Sequence, residues 1–271
     1  MKERLSVCLE TIFSGVNRKY DTQSIDKHIR KIRTLGFKFF EFWDWKDKDI
    51  EKIKLEARKN SLKVALIAGQ RKHALLDQND WDSFITEVSK SIRVAHQLEC
   101  ERLTIMVDEP NDKWHFTRTY PGLGDFQKYL NVTRSLTKLA EIAEQENVIL
   151  CLEHFNTTFD HPGYWLDSVE SGFKIIERVA SNNIKLLVDI YHMGVMEGNI
   201  MQKISKNLDL IGYFHIASVP GRNEPWLGEL NYKNILQEIM ASGKYSGSFG
   251  LEYYPTMDPE ESLKGVLDYL C

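Results

Sequence analysis

A single (β/α)8 barrel is the fold this sequence predicts, and three observations carry that expectation. The chain has 271 residues, close to the roughly 250 of a typical barrel of this kind. Short apolar runs alternate with helix-patterned segments eight times. Glu153, Asp189, His215 and Glu252 each close one such run, about 36, 26 and 37 residues apart, where one strand-helix unit takes about 31.

The units read in order. Leu5–Leu9 is the first strand, followed by a helix from Asp21 to Thr34 with Ile25, Ile29 and Ile32 on one face and Gly36 just past its end. Phe37–Trp43 is the second strand, and Lys46–Asn60 a charged helix. Leu62–Ile67 is the third strand. Asp80 is placed to cap the helix Trp81–Gln97, whose Phe84, Val88, Ile92 and Ala95 share a face. Arg102–Val107 is the fourth strand, and Asp125 is placed to cap a helix running to Glu146. Strands five to eight are 148–152, 184–188, 210–214 and 248–251, with helices near Trp165–Ala180, Asn199–Lys206, Tyr232–Ser242 and Pro259–Tyr269. A doubly wound open sheet would carry a glycine-rich turn after its first strand, and Glu10–Gly15 lacks it. No linker or low-complexity tract divides the chain, so residues 1–271 read as one barrel domain. The long loops 108–124, 154–164 and 216–230 all follow strands, which puts them on the face where barrel enzymes work.

Composition narrows the function classes. The net charge of −4 argues against a general nucleic-acid binder, whose footprint is basic. No apolar stretch reaches the ~18–20 residues of a membrane span, and the start lacks a secretory apolar segment. Cys8, Cys100, Cys151 and Cys271 show no Cys-x-x-Cys spacing. They read as free thiols, which suits a reducing cytoplasm.

The four strand-end residues are the candidate site. In a closed barrel consecutive strand ends converge on one mouth, and three carboxylates meeting there repel unless a cation holds them. One imidazole with three carboxylates is a mixed N/O ligand set, suited to Mg2+ or Mn2+ and also to Co2+ or Zn2+, and less to Ca2+. Glu153 and Glu252 double as candidate acid–base groups that pass a proton between adjacent substrate carbons, with the metal stabilising an enediolate. Asp189 reads equally as a helix cap. Arg222, in the loop after strand seven, suits a substrate carboxylate or phosphate, or else a surface ion pair with Glu224 or Glu229. His192, His161 and Glu41 are candidate substrate contacts; taken alone His192 and His161 are more often ordinary loop histidines, and Glu41, with Trp43, reads equally as packing under a loop. His154 belongs with His161 in the same loop.

On these residues the chain resembles the xylose-isomerase-like barrels, and within them the hydroxypyruvate isomerase branch. The stretches that carry the likeness are Asn156-Thr157, Asp160-His161-Pro162-Gly163-Tyr164, Asp189-Ile190-Tyr191-His192-Met193, Met196-Glu197-Gly198, Val219-Pro220-Gly221-Arg222, Gly228-Glu229-Leu230-Asn231-Tyr232 and Gly250-Leu251-Glu252-Tyr253. They lie in residues 148–256; the first half resembles the branch only through Leu35-Gly36-Phe37 and Glu41. The resemblance implies an isomerisation needing no cofactor beyond one divalent metal, between hydroxypyruvate and tartronate semialdehyde or related 2-oxo acids. By position Glu153 and Glu252 match the family's catalytic and metal-binding glutamates, and Asp189 its metal aspartate. His192 and Arg222 match substrate contacts of related ketose epimerases. Two positions depart from the branch. The strand-seven ligand there is usually glutamine, whereas His215 follows the ketose 3-epimerases. The loop after strand three reads Ala68-Gly69-Gln70-Arg71-Lys72-His73 in place of the branch's Gly-Asp-Trp…Gly-Glu-Arg-Gly pattern.

The expectation is therefore an isomerase acting on a small hydroxy-keto compound, with a ketose 3-epimerase as the nearest alternative. From other classes, an AP-endonuclease-like phosphodiesterase would need more metal ligands and a basic face, and a passive sugar-binding barrel would not need converging carboxylates. Partners are a small 2-oxo acid or ketose, with no nucleic acid and no membrane; a homo-oligomer is left open.

Overall fold

A computed structural model describes residues 1–15 and 18–271. Eight parallel strands close into a barrel in sequence order. They are β1 (Leu5–Cys8), β2 (Phe39–Phe42), β3 (Lys63–Ala68), β4 (Arg102–Ile105), β5 (Ile149–Glu153), β6 (Ile184–Asp189), β7 (Ile211–Ile216) and β8 (Phe249–Leu251). β1 pairs with both β2 and β8, which closes the ring. The helices are α1 (Leu9–Ile12), α2 (Ile25–Thr34), α3 (Ile50–Lys59), α4 (Trp81–Gln97), α5 (Asp125–Gln145), α6 (Val169–Val179), α7 (Ile190–Met196), α8 (Ile200–Asn207), α9 (Tyr232–Ala241) and α10 (Pro259–Leu270).

Caps decide where the helices begin. The expected charged helix from Lys46 starts at Ile50, because Asp49 accepts from the Lys52 N–H at 3.0 Å. Ser168 caps α6 in the same way, so that helix begins four residues later than its apolar pattern suggests. Asp80 and Asp125 do not act as the expected caps. The Asp80 carboxylate accepts from the Ala74 N–H and pairs with Arg118, and Asp125 lies inside α5 with Gly124 at its N-cap. α7 is a helix the sequence pattern missed. It starts because Asp189 Oδ1 accepts from the Tyr191 N–H at 2.8 Å and the His192 N–H at 3.4 Å.

Strand alternation sorts the core into two parts. Outward residues such as Val7, Phe40, Leu103, Leu152, Val188, Phe214 and Leu251 pack with the helices' apolar faces, including Ile25, Ile29 and Ile32 of α2. Inward residues Leu66, Cys151, Leu187 and Tyr213 form a separate cluster. The last three stand two positions before Glu153, Asp189 and His215, so they make the floor under those side chains. Cys8, Cys100 and Cys151 are buried free thiols and Cys271 is exposed. No described helix is long and apolar enough to cross a membrane.

Candidate active site

Glu153 and Asp189 end β5 and β6, His215 sits in β7, and Glu252 follows β8. All four are buried, and each offers a donor atom within 4.8 Å of the others. The register sets Asp189 directly beside His215 and staggers the other two: Glu153 pairs with Leu187, two residues before Asp189, and His215 pairs with Gly250, two residues before Glu252.

Each group is aimed by a partner. His215 Nδ1 lies 3.3 Å from Glu153 Oε1 and 3.5 Å from Glu252 Oε2, while Nε2 lies 2.9 Å from Glu41 Oε1. Tyr213 donates its hydroxyl hydrogen to the other Glu41 oxygen. Thr104 donates to Glu153 at 3.2 Å. Trp43 Nε1 donates to Glu252 Oε1 at 2.8 Å, and Arg222 Nη2 donates to Glu252 Oε2 at 2.6 Å. Asp189 divides its two oxygens between unlike surroundings. Its Oδ1 caps α7, while its buried Oδ2 has no hydrogen-bond partner.

The charges are partly balanced by the chain itself, which the sequence argument did not anticipate. Arg222 is buried, and its Nη2 lies 4.0 Å from Asp189 Oδ2 as well as against Glu252. Burial disfavours the charged His215 ring, but Glu252 and Glu41 outweigh it and hold its pKa well above the ordinary range. Burial pushes Asp189 up to about 7, reinforced by Glu252 and Glu153 and opposed by Arg222 and His215. Burial also raises Glu153, whereas at Glu252 it is outweighed by His215, Arg222 and the Trp43 hydrogen bond, so Glu252 is held low. The two glutamates thus sit in unlike environments, a pattern associated with divided acid and base roles.

A cavity of about 430 Å3 opens above these groups, lined by residues that include Glu153, His215, Glu252, Arg222 and His161. Arg222 is therefore not in the surface ion pair considered as its alternative. His161 and His154 are both buried, not exposed loop residues. His161 Nδ1 faces the Trp114 carbonyl at 3.3 Å and its Nε2 has no partner. Two expected substrate contacts lie behind the wall. Glu41 is used up by His215 and Tyr213, so it orients a candidate ligand and does not line the cavity. His192 is fully buried with Nδ1 on Asn156 and Nε2 3.4 Å from Asp189 Oδ2. Trp43 does line the cavity, held by its backbone N–H on Glu10 at 3.0 Å. Sequence reasoning passed over Trp114, Asp160, Arg71 and Tyr254, which share the lining. Trp114 and Asp160 fall in the loops 108–124 and 154–164 that had been placed on this face, and Arg71 in the loop after β3.

A family model described as a xylose isomerase-like TIM barrel matches residues 29–271. The chain belongs to that family. Among its relatives, hydroxypyruvate isomerase of Escherichia coli is 30% identical over 247 residues, covering 88% of this chain and 91% of that one. The 2-oxo-tetronate isomerase of Cupriavidus necator is 30% identical over 206 residues, covering 75% and 74%. The likeness therefore extends well into the first half, beyond the stretches that carried the resemblance. These relatives place the chain among isomerases. A solved structure from Brucella melitensis titled AP endonuclease, family 2, superposes with a TM-score of 0.80 over 98% of this chain and 99% of that one, at 24% identity. At that identity the likeness concerns the fold.

Proposed function

We propose that this protein is a divalent-metal-dependent isomerase of small 2-oxo acids, interconverting hydroxypyruvate and tartronate semialdehyde or a close relative of that pair. The observation that carries the proposal is the unpartnered Asp189 Oδ2. A buried carboxylate oxygen without a hydrogen bond is costly, and here it sits among three further donor atoms within 4.8 Å. Three carboxylates and one imidazole fit a hard divalent cation, Mg2+ or Mn2+ first. Glu153, Asp189, His215 and Glu252 would hold it, and Glu41 would fix the ring of His215 from behind, as outer partners of metal-binding histidines do. Bound there, the cation would supply Lewis-acid stabilisation of negative charge on the substrate oxygens.

The remaining chemistry belongs to side chains. In the forward direction a proton leaves C3 of the keto acid and one is delivered to C2, while the hydroxyl proton moves from O3 to O2. Glu153 and Glu252 line the cavity and are the groups that take and return the carbon-bound proton. Arg222 spends Nη2 on Glu252 but has an unpartnered Nε, which leaves donors for the substrate carboxylate. Trp43 and Trp114 wall the cavity and limit water around the enediolate. The buried thiols fit a cytoplasmic setting.

The deciding experiment offers hydroxypyruvate and a panel of ketoses to the Mn2+- or Mg2+-loaded protein in D2O, followed by NMR. We expect conversion of hydroxypyruvate with deuterium at C2 of the product, and loss of turnover on chelation. Exchange at C3 of a ketose, without turnover of hydroxypyruvate, would transfer the assignment to a 3-epimerase. Full turnover by metal-free protein would remove the metal from the reading.

A further inference from the structure

The four-residue cluster occupies one part of a cavity that a three-carbon acid would not fill. At about 430 Å3 the cavity falls in the range of sites that enclose far larger ligands. Another part of its wall is Arg71, on the loop after β3. Its guanidinium lies 4.0 Å from the centre of the Trp114 ring. Trp114 packs against Trp43, centroids 5.4 Å apart, and Trp43 in turn holds Glu252. Two tryptophans thus stand on the contact path from Arg71 to the cluster.

Arg71 differs from Arg222 in having no counter-charge in contact. Among the described residues its guanidinium makes no hydrogen bond or ion pair; only its backbone N–H is used, on Glu87 at 3.2 Å. The carboxylates that bear on it, led by Asp44 and Glu10, act from a distance, and burial outweighs them, lowering its pKa. A partly desolvated guanidinium without an anion is expensive to keep. Stacking on a tryptophan holds its plane while leaving the donor edge free for a ligand. Arg18, Lys19 and Lys113 also line the cavity, against Asp112 and Asp160, so outside the four-residue cluster its wall carries more cations than carboxylates although the whole chain is acidic. His161 adds an acceptor. With Nδ1–H directed at the Trp114 carbonyl, its buried Nε2 carries a lone pair for a substrate hydroxyl.

We infer that Arg71 is an anion-binding residue of this site, and that the substrate carries a second oxyanion group, a carboxylate or a phosphate ester, at the end remote from the Glu153–Asp189–His215–Glu252 cluster. The natural substrate is then a hydroxylated 2-oxo acid longer than hydroxypyruvate and charged at both ends. This rests on the reading above only for placing the keto-acid end at the cluster.

The test compares three four-carbon ligands by titration calorimetry on the full-length, Mn2+-loaded protein: erythronate, 4-phosphoerythronate and tartrate. They differ at one terminus, which is a hydroxyl, a phosphate or a carboxylate. Wild type should prefer one or both of the terminally charged ligands to erythronate by roughly tenfold or more, and the tighter of the two identifies the group. Arg71→Met keeps an unbranched apolar side chain against Trp114 and should abolish that preference; Arg71→Lys should retain part of it. A preference that is absent in wild type, or that survives Arg71→Met, overturns the inference. Inorganic phosphate supplies an arm independent of the keto-acid reading, through the NMR shift of the Trp114 indole N–H, assigned with Trp114→Phe. A shift in wild type that Arg71→Met lacks, with no hydroxy acid bound, would keep the anion site and sink the 2-oxo-acid reading. If neither phosphate nor the charged ligands move that resonance, the anion site is overturned.

Discussion

Gly250 offers a direct test of whether His215 must stand where the structure puts it. The residue lies on β8 beside His215 of β7. A methyl group added there would come within 2.5 Å of His215 Cδ2 and within 2.6 and 2.8 Å of the two Glu41 oxygens. Ordinary contact begins at 3.4 Å, so the ring would have to retreat by about 0.9 Å, the difference from 2.5 Å. The backbone cannot take up that movement, because β8 is hydrogen-bonded to β7 on one side and β1 on the other. Overpacking of this kind costs about 1–3 kcal/mol, which in a chain of this length lowers Tm by roughly 2–10 °C. The functional effect should be larger in proportion, since a displacement of ~1 Å in a reacting constellation costs on the order of 10²-fold. Gly250→Ala is therefore expected to fold, to bind Mn2+ more weakly by calorimetry, and to lose about two orders of magnitude in kcat/KM. Gly124→Ala is the control. Its methyl group would meet nothing within 4 Å, and the N-cap change should cost under about 1 kcal/mol without touching turnover. Wild-type Mn2+ affinity and turnover in Gly250→Ala would show that His215 is not held as a ligand.

Three further expectations follow from the same geometry. Glu153→Gln and Glu252→Gln should each lower kcat by at least ~10²-fold with the far-UV circular dichroism unchanged; near-normal turnover in either would assign the proton transfer elsewhere. Arg222→Lys keeps the charge against Glu252 but loses the planar fork, so KM for hydroxypyruvate should rise by up to about 10- to 150-fold, with a smaller effect on any neutral ketose the enzyme accepts; equal effects on both would detach Arg222 from the substrate carboxylate. His28 stacks on Phe13 with centroids 4.2 Å apart, and burial lowers its pKa to about 4. As pH falls from about 6.5 towards 4 the unfolded chain takes up a proton that the fold resists, so stability declines across that window; the urea midpoint should fall less between pH 7 and pH 5 in His28→Phe than in wild type, and identical slopes would contradict the assignment.

Much of the barrel was legible in the sequence because local chemistry dictates it. Apolar runs of strand length recur between segments with helical spacing, and a closed parallel barrel brings the ends of its strands to one mouth. That is why Glu153, Asp189, His215 and Glu252, spread over 100 residues, group together on sequence alone. The same local reasoning failed where a side chain has a distant partner or more than one use. Asp80 looked like a cap and is instead drawn to Arg118, and Asp189, read either as a cap or as a ligand, caps α7 with one oxygen and leaves the other without a hydrogen bond. What only the tertiary structure decided is how the four groups are held. Trp43 reaches Glu252 across 209 residues and Tyr213 reaches Glu41 across 172, so no sequence window contains either pair. Glu41 therefore read as a pocket residue although it backs His215, and Arg222 as a possible surface ion pair although it is buried against Glu252. Strand patterning reports which way a side chain faces; the partner it meets is set by barrel closure, which joins residues with no local signal in common.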